Sequence, residues 1–284
     1  MHGRAVALGA GTVLNALATG VGSAFAIDAE TTATVELDDT DAVRGSVAED
    51  EDADTRLIER CVELAVERYG DDDYGGTVRT ESDLPMAAGL KSSSAAANAA
   101  VLATADALGV DPDREEACRL GVRAARDAGV TVTGAFDDAS ASMLGGVTVT
   151  NNAEDELLSR DSVEWDVLVW TPHERAYSAD ADVDACANVA PMAELVAELA
   201  LDGRYAEAMT VNGLAFSAAL DFPTDPAVEA MPHAAGVSLS GTGPSVVAVA
   251  ESESGALDPV RDLWGDRPGA TWLTTTRNDG GRIR

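Results

Sequence analysis

A proline-led loop rich in glycine and serine runs directly into a long alanine-rich stretch, and this junction constrains the fold more than any other segment. The loop and the residues that follow read Pro85-Met86-Ala87-Ala88-Gly89-Leu90-Lys91-Ser92-Ser93-Ser94-Ala95. The spacing of small residues beyond it predicts a closely packed helix over about 92–108. Backbone N–H groups, hydroxyls and the positive end of the helix dipole meet at the start of such a helix, and together they can hold a phosphate group.

The alternative interpretation of this loop is a turn followed by a serine-capped helix. One side chain is enough for a cap, so three consecutive serines favour a nucleotide site. Two better-known phosphate motifs do not fit: Gly89 and Lys91 lack the Walker spacing, and Leu14 stands where the dinucleotide-binding pattern beginning at Gly9 needs glycine. Lys91 is the only lysine of the chain, and we expect it to be exposed and to contact a phosphate.

The charge balance limits the partners of this chain. It has 50 Asp and Glu against 19 Lys and Arg, a net charge of −31 at pH 7. Such a charge disfavours nucleic acid and anionic membrane surfaces, so we expect neither as a partner. The charge is spread along a chain that is 46% hydrophobic, which argues against a disordered acidic tail. Because concentrated salt screens self-repulsion, the composition indicates a cytoplasmic protein in a salt-rich interior.

Length and scarce residue types narrow the class further. A chain of 284 residues suits one large domain or two ordinary ones. No apolar run is long enough to span a bilayer, and the glycine-broken N-terminal stretch does not predict a secretory signal. The chain has three cysteines, an odd number, and they are far apart: Cys61, Cys118 and Cys186. We therefore expect reduced, buried thiols. The three histidines are scattered, which argues against a histidine metal site or a serine–histidine hydrolase.

Strand and helix patterns mix without strict alternation, which favours an α+β fold in two lobes. Strands are predicted at residues 4–9, 22–27, 31–37, 77–80, 146–152, 163–170, 246–251 and 270–276. Helices are predicted at residues 55–69, 92–108, 113–127, 184–201, 203–220 and 259–265. The acidic run 38–54 is interpreted as a solvated loop. The lobe boundary is placed in the acidic segment near 155–162, which gives lobes of residues 1–158 and 159–284.

Two further segments are candidate sites. Asp137 and Asp138 stand among small apolar residues, where carboxylates are costly unless they are exposed or used. Asp138 can take a proton from a substrate hydroxyl, whereas an N-capping role is the alternative for one of the pair. The segment 241–245, Gly-Thr-Gly-Pro-Ser, is either a glycine turn or a second loop of backbone donors that approaches a phosphate or substrate.

Together the three segments resemble motifs of the GHMP kinase superfamily. The ATP loop of that family has the form P-x-x-x-G-L-x-S-S-x-A, and residues 85–95 fill every fixed position. The N-terminal and C-terminal motifs of the family correspond to segments that contain Thr12, Asn15, Gly241, Thr242 and Gly243. Within the superfamily the closest resemblance is to the archaeal type of shikimate kinase, and it covers nearly the whole chain.

The resemblance implies a two-lobed α+β kinase with an S5-like N-terminal lobe and a ferredoxin-like C-terminal lobe. It implies ATP and Mg²⁺ between the lobes, ATP wrapped by loop 85–95, and shikimate as the acceptor. Counting back from Gly145-Gly146, the catalytic aspartate falls on Asp138, with Asp137 as the fallback. A hydroxyl of residues 92–94, with Ser93 as the first candidate, is expected to help hold the metal, and Asp127 at a helix end is a further candidate ligand.

The sequence does not locate every part of the expected site or decide among all related activities. An arginine is expected for the substrate carboxylate, but its position is not indicated. The mevalonate kinase branch has a lysine near its N-terminus that pairs with the catalytic aspartate, whereas this chain has only Arg4 in that region. Another small-molecule kinase of the superfamily, acting on homoserine or a mevalonate-type alcohol, is one alternative, and a non-catalytic metabolite-binding regulator is another. The sequence is compatible with a homodimer but does not indicate the oligomeric state.

Overall fold

Eleven strands form two sheets in the computed structural model, which describes residues 1–40, 42–72, 74–85, 87–131, 134–173 and 182–284. In chain order the strands are β1 (His2–Leu14), β2 (Val21–Asp38), β3 (Val43–Val47), β4 (Gly75–Ser82), β5 (Val147–Asn151), β6 (Glu156–Asp161), β7 (Trp165–Thr171), β8 (Gly236–Leu239), β9 (Val246–Glu251), β10 (Ala270–Thr275) and β11 (Arg282–Ile283). Strands β1 to β6 and β11 form a seven-stranded sheet. The other four form a second sheet in the order β10-β7-β9-β8.

Nine helices cover these sheets in the described part of the chain. They are α1 (Arg56–Tyr69), α2 (Ser92–Ala107), α3 (Arg114–Ala128), α4 (Phe136–Leu144), α5 (Val183–Ala187), α6 (Ala190–Leu201), α7 (Tyr205–Ala219), α8 (Asp225–Ala230) and α9 (Asp258–Gly265). The predicted α+β class and the predicted helices near 55–69, 92–108 and 113–127 are confirmed. The predicted helix 184–201 is two helices, because α5 ends before α6 begins.

Helix α2 lies directly on β1, and small residues on both elements make this approach possible. A side chain at Gly3 would stand 2.1 Å from the backbone oxygen of Ala103 and 2.4 Å from the nitrogen of Ala107. Most of α2 is buried, including Ala97, Ala100 and Ala103. The interpretation of the alanine-rich stretch as a closely packed helix is therefore confirmed.

Strand β2 corrects the prediction of two separate strands at 22–27 and 31–37. It is one strand, which pairs with β5 over residues 21–25 and with β4 over residues 31–38. Asp28 and Glu30, between these halves, stay in the strand and meet cations of the C-terminal segment. Arg277 lies 2.7 Å from Asp28 Oδ1, and Arg282 lies 2.7 Å from Glu30 Oε1. These partners are remote in sequence, so no local pattern reveals them.

The acidic run 38–54 is also corrected, because it contains β3, which pairs in parallel with β4. Strands β6, β8 and β11 and helix α8 were not predicted. Residue 158 lies inside β6, whose partner β5 belongs to the first sheet, and β11 returns to the same sheet. One hydrophobic core joins residues of both sheets, among them Phe25 and Val169. The lobe division at 158 stays a prediction.

Two smaller expectations concern side chains and membranes. The three cysteines are free and buried, as expected for reduced thiols. Burial raises the pKa of Cys61 and Cys118 far above the usual value of a thiol. Within the described residues, none of the helices combines the length and the apolar character that crossing a membrane needs.

Candidate active site

A cleft of about 760 Å³ gathers most of the predicted site residues. It is lined by the end of β1, the 47–58 segment, the loop before α2, the start of α4 and the loop after β8. Asn15, Gly89 and Thr242 come from three distant parts of the chain and meet here. The tertiary structure therefore combines three segments that the sequence singled out separately.

The loop before α2 has a backbone of alternating hand. Ala87, Gly89 and Lys91 have φ values of 53°, 77° and 66°, in the left-handed region. At Gly89 this conformation and the space require glycine, because a side chain would meet the Ser240 oxygen at 2.1 Å. The Ser240 hydroxyl donates to the Gly89 carbonyl at 2.8 Å. This hydrogen bond between the two loops holds the loop before α2 open toward the cleft.

Not every residue of the 85–95 motif faces the cleft. Ala87, Ala88, Gly89 and residues 91–94 line it. Leu90 and Ala95 are instead buried core residues, and Pro85 is exposed outside the lining. Met86 lies outside the described residues. The motif thus has two parts, one that shapes the site and one that anchors the loop.

The start of α2 fits a phosphate group. No side chain caps this helix, so the first backbone N–H groups, from Ser92 onward, have no intrahelical acceptor and point out of its N-terminus. The side chain of Ser93 is exposed and adds a hydroxyl on the cleft side. The helix dipole adds partial positive charge at this end.

Lys91 corrects the expectation of an exposed lysine that waits for a phosphate. It is only 9% exposed, and its Nζ lies 2.8 Å from Asp138 Oδ1. Its φ of 66° places a non-glycine residue in the left-handed region just before α2, a conformation that persists only where the surrounding structure imposes it. Lys91 therefore provides the lysine partner that the N-terminal region lacks. Arg4 lies elsewhere, where its backbone N–H donates to Asp106 Oδ2 at 2.9 Å.

Asp137 and Asp138 occupy the first turn of α4, which begins at Phe136. Successive helical residues point in different directions. Asp138 faces Lys91, whereas Asp137 points inward and accepts a hydrogen bond from Asn152 Nδ2 at 2.7 Å. Burial, followed by the charge of Asp138, raises the pKa of Asp137 to about 7. Both residues line the cleft, but the Asp137 carboxylate is buried against Asn152, whereas that of Asp138 pairs with Lys91.

The loop after β8 holds the end of β1 rather than offering all of its donors to a ligand. The Gly241 N–H donates to Thr12 Oγ1 at 2.7 Å, and Asn15 Nδ2 donates to the Gly241 carbonyl at 2.9 Å. The Gly243 N–H donates to the Ser240 carbonyl at 2.9 Å. The Gly241 and Gly243 N–H groups therefore have acceptors within the protein, and the assignment of this loop to a phosphate or substrate stays a prediction. Thr12 and Gly243 lie behind the cleft lining, whereas Asn15, Gly241 and Thr242 belong to it.

Two asparagines that the sequence analysis missed support the site. Asn212 of α7 accepts from the Asn15 N–H at 2.9 Å and donates to Ser238 Oγ at 2.9 Å. Asn152, just after β5, accepts from the Asp137 N–H at 3.0 Å. An asparagine within an apolar helix is the signal that could have revealed Asn212, because a buried amide needs partners. No comparable signal surrounds Asn152.

Asp127 is not brought to the cleft. Its carboxylate lies 2.8 Å from Arg60 Nε and is 39% exposed, and it is absent from the cleft lining. Nor do three or more His, Cys, Asp or Glu side chains of the described ranges cluster in a way that could hold a metal ion. Of the two predicted metal ligands, only Ser93 faces the cleft.

The fold and the cleft define a kinase fold of the GHMP type. The chain superposes on the crystal structure of the Methanococcus jannaschii mevalonate kinase with a TM-score of 0.77 at 13% identity, covering 97% of this chain and 98% of that one. A homoserine kinase from Cytophaga hutchinsonii gives a TM-score of 0.73 at 18% identity, covering 100% and 97%. These likenesses establish the fold alone.

Sequence similarity is more specific. Residues 56–146 match the family described as GHMP kinases N terminal domain. The chain is 64% identical over 285 aligned positions to a shikimate kinase of Halobacterium salinarum, with 99% of each covered. It is 51% identical to a shikimate kinase of Methanothrix thermoacetophila, covering 100% of this chain and 96% of that one. The chain belongs to the archaeal shikimate kinase family of the GHMP kinases, whose phosphate donor is ATP.

Proposed function

We propose that this enzyme transfers the γ-phosphoryl group of ATP to the 3-hydroxyl of shikimate and so forms 3-phosphoshikimate. The observation that carries the reaction type is the Lys91–Asp138 pair, which lies beside the uncapped start of α2 in one cleft. A proton acceptor and a phosphate-binding helix end are the two parts that phosphoryl transfer to an alcohol requires. The names of the full-length relatives support shikimate as the acceptor.

The loop before α2 and the first turn of α2 bind the phosphates of the nucleotide. The N–H groups at the helix start and the hydroxyls of residues 92–94 face the cleft. They are held by the buried helix behind them, so they are oriented before any ligand arrives. Fixed donors of this kind stabilise developing charge without reorganising during the reaction.

Asp138 orients the acceptor hydroxyl and takes its proton. Lys91 balances the charge of this carboxylate, because its ammonium group lies 2.8 Å away. The carboxylate is 19% exposed and the lysine side chain 6%, so little water screens the pair. Lys91 thereby fixes the direction of the group that meets the acceptor.

The residues present also fit Mg²⁺. This ion usually keeps several waters and takes few protein ligands, with phosphate oxygens completing its shell. A single exposed hydroxyl such as Ser93 suits that habit, and a cluster of carboxylates is not required. Bound Mg²⁺ supplies charge neutralisation on the phosphates. We do not assign this role to Asp127, since its carboxylate pairs with Arg60 outside the cleft.

The test is ADP release measured in molar KCl with a panel of acceptor alcohols. We expect release that depends on shikimate, and little with homoserine or mevalonate. Release with homoserine or mevalonate instead would move the enzyme to another branch of the superfamily. Absence of ATP turnover with every acceptor would favour a non-catalytic binding protein.

A further inference from the structure

Asp137 is unusual because its carboxyl group is buried at the candidate site, whereas the carboxylate of its neighbour Asp138 pairs with Lys91. It is 5% exposed, and no other Asp or Glu of the described ranges is classed as buried. Burial of an isolated carboxylate is costly, and a protein usually resolves this by pairing the group or by protonating it. Which of the two applies here decides the charge of the site.

Asp137 lines the cleft, but its side chain is buried and held by specific contacts. Asp137 Oδ1 accepts from Asn152 Nδ2 at 2.7 Å, and Asn152 Oδ1 accepts from Thr150 Oγ1 at 2.8 Å. The other oxygen, Oδ2, lies against β2, where a side chain at Gly22 would stand only 2.4 Å from it. Glycine at this position leaves the space that the carboxyl group fills. The contacts hold the first turn of α4 in one orientation.

The charges that act on Asp137 are those of Asp138 and Lys91. Lys91 lies 2.8 Å from Asp138, so the single ammonium is already engaged. Arg126 of α3 lies next to Gly134, just before α4, but its guanidinium group pairs with Asp155 at 2.6 Å. Two carboxylates therefore meet one described cation in a largely buried cluster.

We propose that Asp137 is a positioning residue that carries a proton in the active enzyme, which leaves the Lys91 ammonium to balance Asp138 alone. The protonated carboxyl group keeps the hydrogen bond from Asn152 and adds no second negative charge beside the acceptor. Ionised Asp137 would compete with Asp138 for Lys91 and oppose the approach of phosphates. This inference rests on the proposed function for its kinetic part, but not for its protonation part.

The direction of the pH effect follows from the raised pKa. Burial and Asp138 raise the pKa of Asp137 from 3.8 to about 7. Between these values the folded protein holds a proton that the unfolded chain has released. The contribution of this group to the free energy of unfolding therefore falls as pH rises through that window, and it levels off above the folded pKa.

Asp137→Asn tests the proposal, because the amide copies the protonated carboxyl group and cannot ionise. We expect the variant at pH 6 to keep turnover within about threefold of wild type, and wild-type turnover alone to fall about tenfold per pH unit above 7. We also expect the free energy of unfolding in urea to fall between pH 5 and 7 in the wild type, and this fall to be absent in the variant. Asp71→Asn, at an exposed loop carboxylate, is the control and should follow wild type in both measurements.

Two outcomes would overturn the proposal. Loss of turnover in Asp137→Asn at every pH, with ATP binding retained, would mean that the anion is required. Unfolding curves of wild type and variant with the same pH dependence would mean that Asp137 holds no extra proton. If the variant does not fold, the carboxyl ¹³C shifts of the wild type decide, because the proposal requires one to titrate near pH 7. The unfolding and ¹³C measurements need no kinase activity, so failure of the proposed reaction remains distinguishable.

Discussion

At residue 91 the backbone disfavours the side chain that the chemistry needs. A non-glycine residue in the left-handed region costs about 1–2 kcal/mol, and Lys91 has a φ of 66°. We expect Lys91→Ala and Lys91→Gly to lose a similar share of transition-state stabilisation, about 1.5–3 kcal/mol, since both remove the charged contact. Lys91→Gly should be the more stable of the two by about 1 kcal/mol, because glycine tolerates this conformation.

Turnover and urea unfolding of the two variants, both measured in molar KCl, check this prediction. Equal stability of both would show that the backbone at residue 91 is not strained. Wild-type turnover in both would remove Lys91 from the mechanism.

Asp138 is the second single residue whose substitution should change the reaction. Asp138→Asn keeps the shape of the side chain and removes the proton acceptor, so we expect phosphoryl transfer to fall about 10²–10⁴-fold while ATP still binds. Asp127→Asn is the matched control, because its carboxylate pairs with Arg60 away from the cleft, and it should stay near wild type. Single-turnover transfer and calorimetric ATP binding measure both effects. A large loss in Asp127→Asn would restore that residue as a candidate metal ligand.

At the scale of elements, the contact between β1 and α2 positions the phosphate-binding helix end. Gly3→Ala would put a methyl group 2.1 Å from the Ala103 oxygen. Overpacking of this kind costs about 1–3 kcal/mol, and we expect a loss of that size in the free energy of unfolding. Gly265→Ala is the control, since nothing lies within 4 Å of a side chain there. Urea unfolding of both variants gives the comparison, and equal values would mean that α2 can move away from β1 at little cost.

At the scale of the whole molecule, the net charge of −31 makes stability depend on salt. Neighbouring surface carboxylates repel one another at 0.1 M salt, where the Debye length is about 10 Å, and much less at 1 M, where it is about 3 Å. Salt also weakens the surface arginine pairs, but acidic residues outnumber basic ones, so we expect the balance to favour the folded state. The melting temperature should therefore rise from 0.1 M to multimolar KCl, and activity should follow. A constant melting temperature would contradict this.

The parts of this protein that could be predicted from the sequence are those whose signals are local. The phosphate-binding loop, the close-packed α2 and the paired aspartates each lie within a short stretch, where residue type and spacing carry the information. The family could be recognised for the same reason, since its motifs are contiguous. The helix capped by Asp113, α3, was likewise readable, because a cap acts on the next few residues.

Features that depend on partners remote in sequence became apparent from the folded structure alone. The continuity of β2 rests on its pairing with β1, which spans residues 23–36 of β2, and Asp28 and Glu30 within it meet arginines of the C-terminal segment. The parallel pairing of β3 with β4 is likewise invisible in a short acidic run. Within the site, Lys91 looked like a phosphate ligand until folding placed Asp138 beside it. A side chain shows its chemistry locally, but its partner, burial and pKa are set by what the fold packs around it.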